Sequence, residues 1–303
     1  MDVEVSAMTK YWLALSSVKG VGPKTVQMLV NRFGSPREVL SAPVIEIARM
    51  PRLNLQLASE IIDVETRLPG LENFIEQMSA EQIDILCPDS CDYPQRLRLI
   101  EDFPPILYKR GNILFEDQRT VAIVGTRFPN PGSIEIAERM AARLANMGFV
   151  VVSGLASGID TAAHKGALKA GGRTIAVLGS GLRMVYPYNN SQLANEICNN
   201  GAVLSECHPS EVVSGQRLIQ RNRITSGLSL GVILIEPGRG ASNTAERALK
   251  QDRHVVVYSP EGNRLLDPSL SGEAFVMRGM GELDAVVDRM QLVKNRSGQM
   301  NLL

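Results

Sequence analysis

Apolar residues change their rhythm along the chain near residue 80. Before that point they recur at helical intervals in Tyr11 to Ser16, Lys24 to Phe33, Ser35 to Leu40, Leu53 to Glu65 and Leu71 to Met78, parted by Pro and Gly. No strand is expected there. From Ile83 onward short β-branched runs take over, at Val121 to Val124, Phe149 to Val152, Thr174 to Leu178, Ala202 to Leu204, Val232 to Ile235 and His254 to Tyr258. Their spacing of about 22 to 30 residues, with helical patterns between most of them, is that of a strand–helix unit. Runs apolar at every position belong to strands covered on both faces, so helices should sandwich a parallel sheet. The expected fold is therefore α/β. A Rossmann-like, doubly wound, mostly parallel sheet should occupy residues 81–292, after a small helical domain over residues 1–80. One more helix is expected near Gly281 to Met290, then a flexible polar tail over 293–303.

In such a sheet ligands bind beyond the carboxyl ends of the strands, so the residues after each run are the ones to read. Gly125-Thr126-Arg127 follows the first run, and Ser153-Gly154-Leu155-Ala156-Ser157-Gly158-Ile159-Asp160 the second. Gly179-Ser180-Gly181 follows the third, and Glu236-Pro237-Gly238-Arg239-Gly240 the fifth. Glycine-bearing turns at one rim let backbone approach a ligand, and the helix N-termini behind them offer N–H groups to phosphate. Met184 stands where the dinucleotide fingerprint needs its last glycine, which argues against ordinary NAD binding.

Arg217, Arg221, Asn222 and Arg223 lie between the fourth and fifth runs. Guanidinium forks suit phosphate oxygens, and with Arg127 and Arg239 these side chains could line one groove. The competing reading is an arginine-bearing helix paired to carboxylates such as Glu206 and Glu236. Asp160 and His164, four apart, share a helix face and are either an acid–base pair or an Asp favoured at a helix N-terminus.

Composition narrows the choice. With 44% hydrophobic and 21% charged residues, the chain is an ordinary globular protein. Thirty-two basic residues balance thirty-two acidic ones, so a nucleic-acid site must be a local basic patch. Four cysteines make a disulfide scaffold unexpected, and no run is long and apolar enough for a membrane span, which fits a cytoplasmic protein without membrane partners. Cys87 and Cys91 lack a second ligand pair, and His164, His208 and His254 are not at ligand spacing. No metal or cofactor is expected. Neither a Gly-x-Ser-x-Gly elbow nor a His-Glu-x-x-His motif occurs. Near the N-terminus, Val18-Lys19-Gly20-Val21-Gly22-Pro23-Lys24-Thr25 is a Gly-rich hairpin between helices, either a phosphate grip or a tight helix connection.

Several of these stretches, in order, resemble the DNA-processing protein A (DprA/Smf) family: Val121 to Arg127, Ser153 to His164, Tyr186-Pro187 with Asn190, Leu204-Ser205-Glu206 and Arg221-Asn222-Arg223-Ile224. The resemblance covers roughly residues 83 to 260, and the helical N-terminus is similar to the family's SAM-like or helix-hairpin-helix domain. It implies an extended Rossmann fold that binds single-stranded DNA, usually as a homodimer, protects the strand and loads the RecA recombinase in natural transformation, without catalytic turnover. The family's Gly-Ser-Arg loop maps onto Gly125, Thr126 and Arg127, and its Arg-Asn-Arg segment onto Arg221, Asn222 and Arg223. The family's base-stacking aromatic is replaced here by Leu218, with Arg217 beside it as a possible substitute. The phosphate-binding set expected is thus Gly125, Thr126, Arg127, Ser153, Gly154, Gly179, Gly181, Arg217, Arg221, Asn222, Arg223, Gly238, Arg239 and Gly240.

A rival reading is a sensor or enzyme for a small nucleotide. Pro237-Gly238-Arg239-Gly240 and Glu246 loosely resemble the signature of LOG-type nucleotide phosphoribohydrolases, with Glu246 or Asp160 as the group that would polarise water. A third is a nucleic-acid sensor in a defence or stress system.

Overall fold

The structure is a computed structural model and describes residues 2–260, 274–294 and 300–302. Contacts divide the chain into two units, Met1–Tyr93 with Arg98–Lys109, and Pro94–Leu97 with Arg110–Leu303.

The first unit is built from α1 (Asp2–Ser16), α2 (Pro23–Phe33), α3 (Pro36–Leu40), α4 (Val44–Ala48), α5 (Leu55–Asp63) and α6 (Leu68–Ala80). Local signals set the ends: Pro23 opens α2 and Gly34 closes it, while Ser35 and Asn54 cap α3 and α5 by accepting from Glu38 N and Leu57 N. Trp12, Leu29, Leu40, Ile47 and Ile61 fill the interior, and Trp12 Nε1 donates to Asp89 Oδ2 at 2.6 Å. α4, of five residues, had no signal of its own in the sequence. The same holds for β1 (Asp84–Leu86), which pairs antiparallel with β2 (Leu107–Gly111).

In the second unit strands and helices alternate. They are β3 (Thr120–Gly125), α7 (Pro131–Asn146), β4 (Val150–Ser153), α8 (Ile159–Lys169), β5 (Thr174–Leu178), α9 (Ser191–Asn199) and β6 (Gly201–Ser205). Then come α10 (Gly215–Leu228), β7 (Gly231–Ile235), α11 (Arg239–Lys250), β8 (His254–Tyr258), β9 (Phe275–Met277) and α12 (Leu283–Gln291). The strands lie in the order β6-β5-β4-β3-β7-β8-β9, and every neighbouring pair is parallel. This is the doubly wound α/β sheet expected. All six runs are strands within a residue or two, and of the seven strands in this order the three-residue β9 lacked a signal. Of the tail expected over 293–303, residues 295–299 and 303 lie outside the described residues, and β10 (Leu292–Lys294) pairs antiparallel with β11 (Met300–Leu302).

From β3 the chain steps outward through β4 and β5 to β6, then returns to lay β7 against the other side of β3. The connections after β3 and β7 therefore depart in opposite directions, and a crevice opens at this switch point. Val121, Ile123, Ile233 and Ile235 pack under α7, α8 and α12, while the alternate residues face α10 and α11. Gly166 in α8 lies so close to the Glu138 backbone of α7 that a Cβ would collide with it.

His164 of α8 is fully buried, with Nδ1 2.7 Å from Thr174 Oγ1, whose own proton goes to Val151 O at 2.7 Å. The hydroxyl must accept from Nδ1–H, leaving Nε2 unprotonated and without a hydrogen-bond partner. Burial, and secondarily the Arg221 guanidinium, push the pKa of His164 from 6.5 down to about 3. As pH falls below 6.5 the unfolded chain takes up a proton that the native ring refuses, so stability falls. Between pH 7 and pH 5 this amounts to about 2 kcal/mol. Asp160, whose carboxyl is raised by burial, contributes with the opposite sign, so the comparison must be made against a variant. Denaturant titrations of wild type and His164→Gln across this range should show a shallower pH slope in the variant; equal slopes would contradict the assignment.

Candidate functional site

At the switch point lies a cavity of about 440 Å³, open to solvent and walled by the loops after β3, β4 and β7 and by α10. Register brings two walls together: Gly125 pairs with Ile235, and Thr126 N donates to Glu236 O at 3.0 Å. Gly125 has no room for a Cβ, which would run into Ile235 O and Ile159. The Glu236 carboxylate reaches across to accept from Asn130 N at 3.0 Å and Asn130 Nδ2 at 2.9 Å, and so holds the Arg127–Asn130 turn in place. Glu236 itself sits at φ +48, and Leu155 in the loop after β4 at φ +59, both in the left-handed region that side-chain-bearing residues rarely adopt.

Arg221 enters the cavity wall from α10. Its side chain passes beneath Gly154, where a Cβ would overlap the guanidinium, and Nη1 donates to Val177 O. Nε has no hydrogen-bond partner. Asp160 is its counter-charge, and Asp160 Oδ2 also accepts from Gly154 N at 3.2 Å and Ala156 N at 3.4 Å. Burial raises the Asp160 carboxyl, opposed first by Arg221 and then by the Ala156 N–H, the Ser153 hydroxyl and the Gly154 N–H. Burial also lowers the Arg221 pKa; Asp160 resists this, and the nearby Arg127 adds to it.

The predicted residues divide into two groups. Gly125, Thr126, Arg127, Gly154, Arg221, Asn222, Gly238, Arg239 and Gly240 line the cavity together. Arg127 and Arg239 are exposed there, and Asp160 is the one carboxylate among the lining residues. Gly238 precedes α11 without any side-chain cap, so the first N–H groups of that helix open on the cavity. Asn222 Nδ2 donates to Gly240 O and Asn243 Oδ1, both at 3.2 Å, and fixes the same helix end.

Ser153, Gly179, Gly181, Arg217 and Arg223 are not on the cavity. Ser153 is buried and donates to Ile123 O at 2.6 Å, joining β4 to β3. Gly179 and Gly181 serve chain packing, the first against the Leu218 backbone and the second against the carbonyls of His208 and Pro209. Arg217 pairs with Glu211 and donates to Val212 O at 3.1 Å, so its side chain is not turned to the cavity as a stacking surface. Arg223 forms two 2.7 Å bonds with the Glu206 carboxylate, its side chain only 6% exposed. For Arg223 the carboxylate-paired reading holds.

Phe128 escaped the sequence reading. It follows Arg127 directly, lines the cavity and is 90% exposed. Its signal was its place one residue beyond a loop already singled out. His164 lies inside the core, away from solvent, and Asp160 is committed to Arg221 and two backbone donors, so the two do not form an accessible acid–base pair. Glu246 is not among the cavity's lining residues. In the first unit the Gly-rich hairpin is a tight connection, with Val21 N on Val18 O at 3.1 Å and Lys24 paired to Glu101 at 2.7 Å. Among the described residues no group of three or more His, Cys, Asp or Glu could hold a metal ion, and no helix is long and apolar enough to cross a membrane.

Comparison with known proteins places this site in a family. The chain is 36% identical over 251 residues to a Synechocystis protein Smf, matching 81% of this chain and spanning 63% of that relative's length. The fold is similar to DNA processing protein A of Streptococcus pneumoniae, with TM-score 0.73 and 28% identity over 91% of this chain and 95% of the other. It is also similar to DNA processing protein A of Helicobacter pylori, a protein described for its single-stranded DNA binding mode, with TM-score 0.60 and 29% identity over 69% of this chain and 95% of the other. Residues 13–64 match a SAM-like helix-hairpin-helix tandem. Since residues 84–279, which carry the whole cavity, match the model of DNA recombination-mediator protein A, the chain belongs to that family.

Proposed function

We propose that the cavity holds single-stranded DNA and that the protein acts as a noncatalytic recombination mediator. The observation that carries this reading is the convergence on one open cavity of two exposed arginines, an uncapped helix N-terminus and an exposed aromatic ring. Arg127, Arg239 and the first N–H groups of α11 bind phosphates without reading sequence. Phe128 supplies the stacking face that Leu218 cannot, and stacking tolerates every base. Arg221 works from beneath: paired with Asp160 and bonded to Val177 O, it braces the loop walls. Family membership supports the rest of the role, in which a homodimer protects the strand and passes it to the RecA recombinase during transformation. A small-nucleotide hydrolase would need a free carboxylate near the ligand, and the one in the cavity wall is already bonded.

In fluorescence-anisotropy titrations with labelled oligothymidylate, Arg127→Ala and Arg239→Ala should each weaken binding and lower the slope of log affinity against log salt by about 0.7, the value for one phosphate contact on a single strand. Phe128→Ala should weaken binding by about 1–3 kcal/mol with the salt slope unchanged. Unchanged affinity in all three folded variants would reject the site. Arg223→Ala should instead cost about 3 kcal/mol of stability by leaving Glu206 unpaired, read as a lower denaturant midpoint. Gly154→Ala should displace Arg221 and cost about 1–3 kcal/mol together with DNA affinity.

A further inference from the structure

A second groove of about 710 Å³ lies on the same unit, beyond the loop that precedes α10. Arg110, Arg183, Met184, Tyr186, Tyr188 and Val212 line it, and no carboxylate does. In a chain with as many acids as bases, that is a local basic surface. Two tyrosines face solvent there, Tyr188 with 84% and Tyr186 with 46% of its surface exposed, although aromatics make up only 5% of the chain.

The groove is built on anchored turns. Tyr188 begins a short helical turn ending at Asn190, whose buried side chain donates to Leu155 O and Thr161 Oγ1, both at 2.8 Å. The ring is therefore exposed on backbone tied to the loop after β4. Arg183 N donates to Pro209 O at 3.0 Å and Arg183 Nη1 to Ser210 Oγ at 2.9 Å, fastening one wall to the loop before α10. That loop joins the two depressions: Gly215 lines the first cavity and Val213 the second groove. Two residues apart, their Cα atoms are separated by no more than about 7.6 Å.

We propose that this groove is a second subsite for single-stranded DNA, reached by a strand that leaves the first cavity across the Pro209–Gly215 loop. Tyr188 and Tyr186 stack bases there, and Arg110 and Arg183 meet phosphates. The proposal rests on the reading of the first cavity given above and extends its footprint. A basic, carboxylate-free, aromatic surface next to a site for the same polyanion favours a continued strand over a protein partner.

The test compares oligothymidylates of about six and about twenty nucleotides, binding to wild type, Arg127→Ala and a Tyr188→Ala/Arg183→Ala double variant. Thermal melts check folding, and a single Tyr188→Ala variant stands in if the double variant is unstable. The double variant should bind the short oligomer as wild type does and lose about tenfold in affinity for the long one, while Arg127→Ala weakens both. If wild type and double variant bind both lengths alike, the second subsite is wrong and the first cavity stands. If wild type binds neither, both fail. A double variant with unchanged DNA affinity but altered mass by light scattering would make the groove an interface between copies and would likewise overturn the proposal.

Discussion

The buried guanidinium of Arg221 is the constraint from which the rest of the site follows. Removing an arginine from water is costly unless its charge is answered, and here Asp160 answers it while Val177 O takes one N–H. That single arrangement dictates its surroundings. Residue 154 must be glycine because the side chain passes where a Cβ would be. The loop after β4 must curl so that Gly154 N and Ala156 N reach Asp160, which puts Leu155 in the left-handed region. The β-strand ends, α8 and α10 are thereby locked in one geometry, and the cavity above them is preformed.

On this floor the arginines divide their work by burial. Arg127 and Arg239 are exposed on the cavity and keep the freedom to meet a phosphate. Arg221 is inside the wall, and Arg223, two positions along the same helix, turns to Glu206. A motif of three consecutive polar residues thus splits into a brace, a helix-end clamp in Asn222 and a buried ion pair, while the charge exposed on the cavity comes from Arg127 and Arg239 in other loops. Glu236 adds the complementary restraint, holding the turn that presents Arg127 and Phe128.

The architecture was largely legible because buried parallel strands are apolar on both faces and leave runs such as Val121 to Val124 and Val232 to Ile235, which admit few other readings. Four short pieces were not: α4, β1, β2 and β9, of three to five residues each, gave no separable apolar run, although α3 and β4, equally short, did. For the site, the rim loops after β3, β4 and β7 were readable because topology alone sends them to the switch point. Which glycines line the cavity was not, since Gly179 and Gly181 sit in a Gly-x-Gly turn like that of Gly238 and Gly240 yet are closed over by Leu218 and by the carbonyls of His208 and Pro209. Side-chain direction was equally hidden: Arg217 finds Glu211, six residues earlier, only once the loop before α10 folds back.

A crystal structure of the protein with a short oligothymidylate tests the central claim most directly. The account requires a phosphate within hydrogen-bond distance of Arg127 and the first turn of α11, with a base against the Phe128 ring. An oligonucleotide bound elsewhere on the molecule, with this cavity empty, would contradict it.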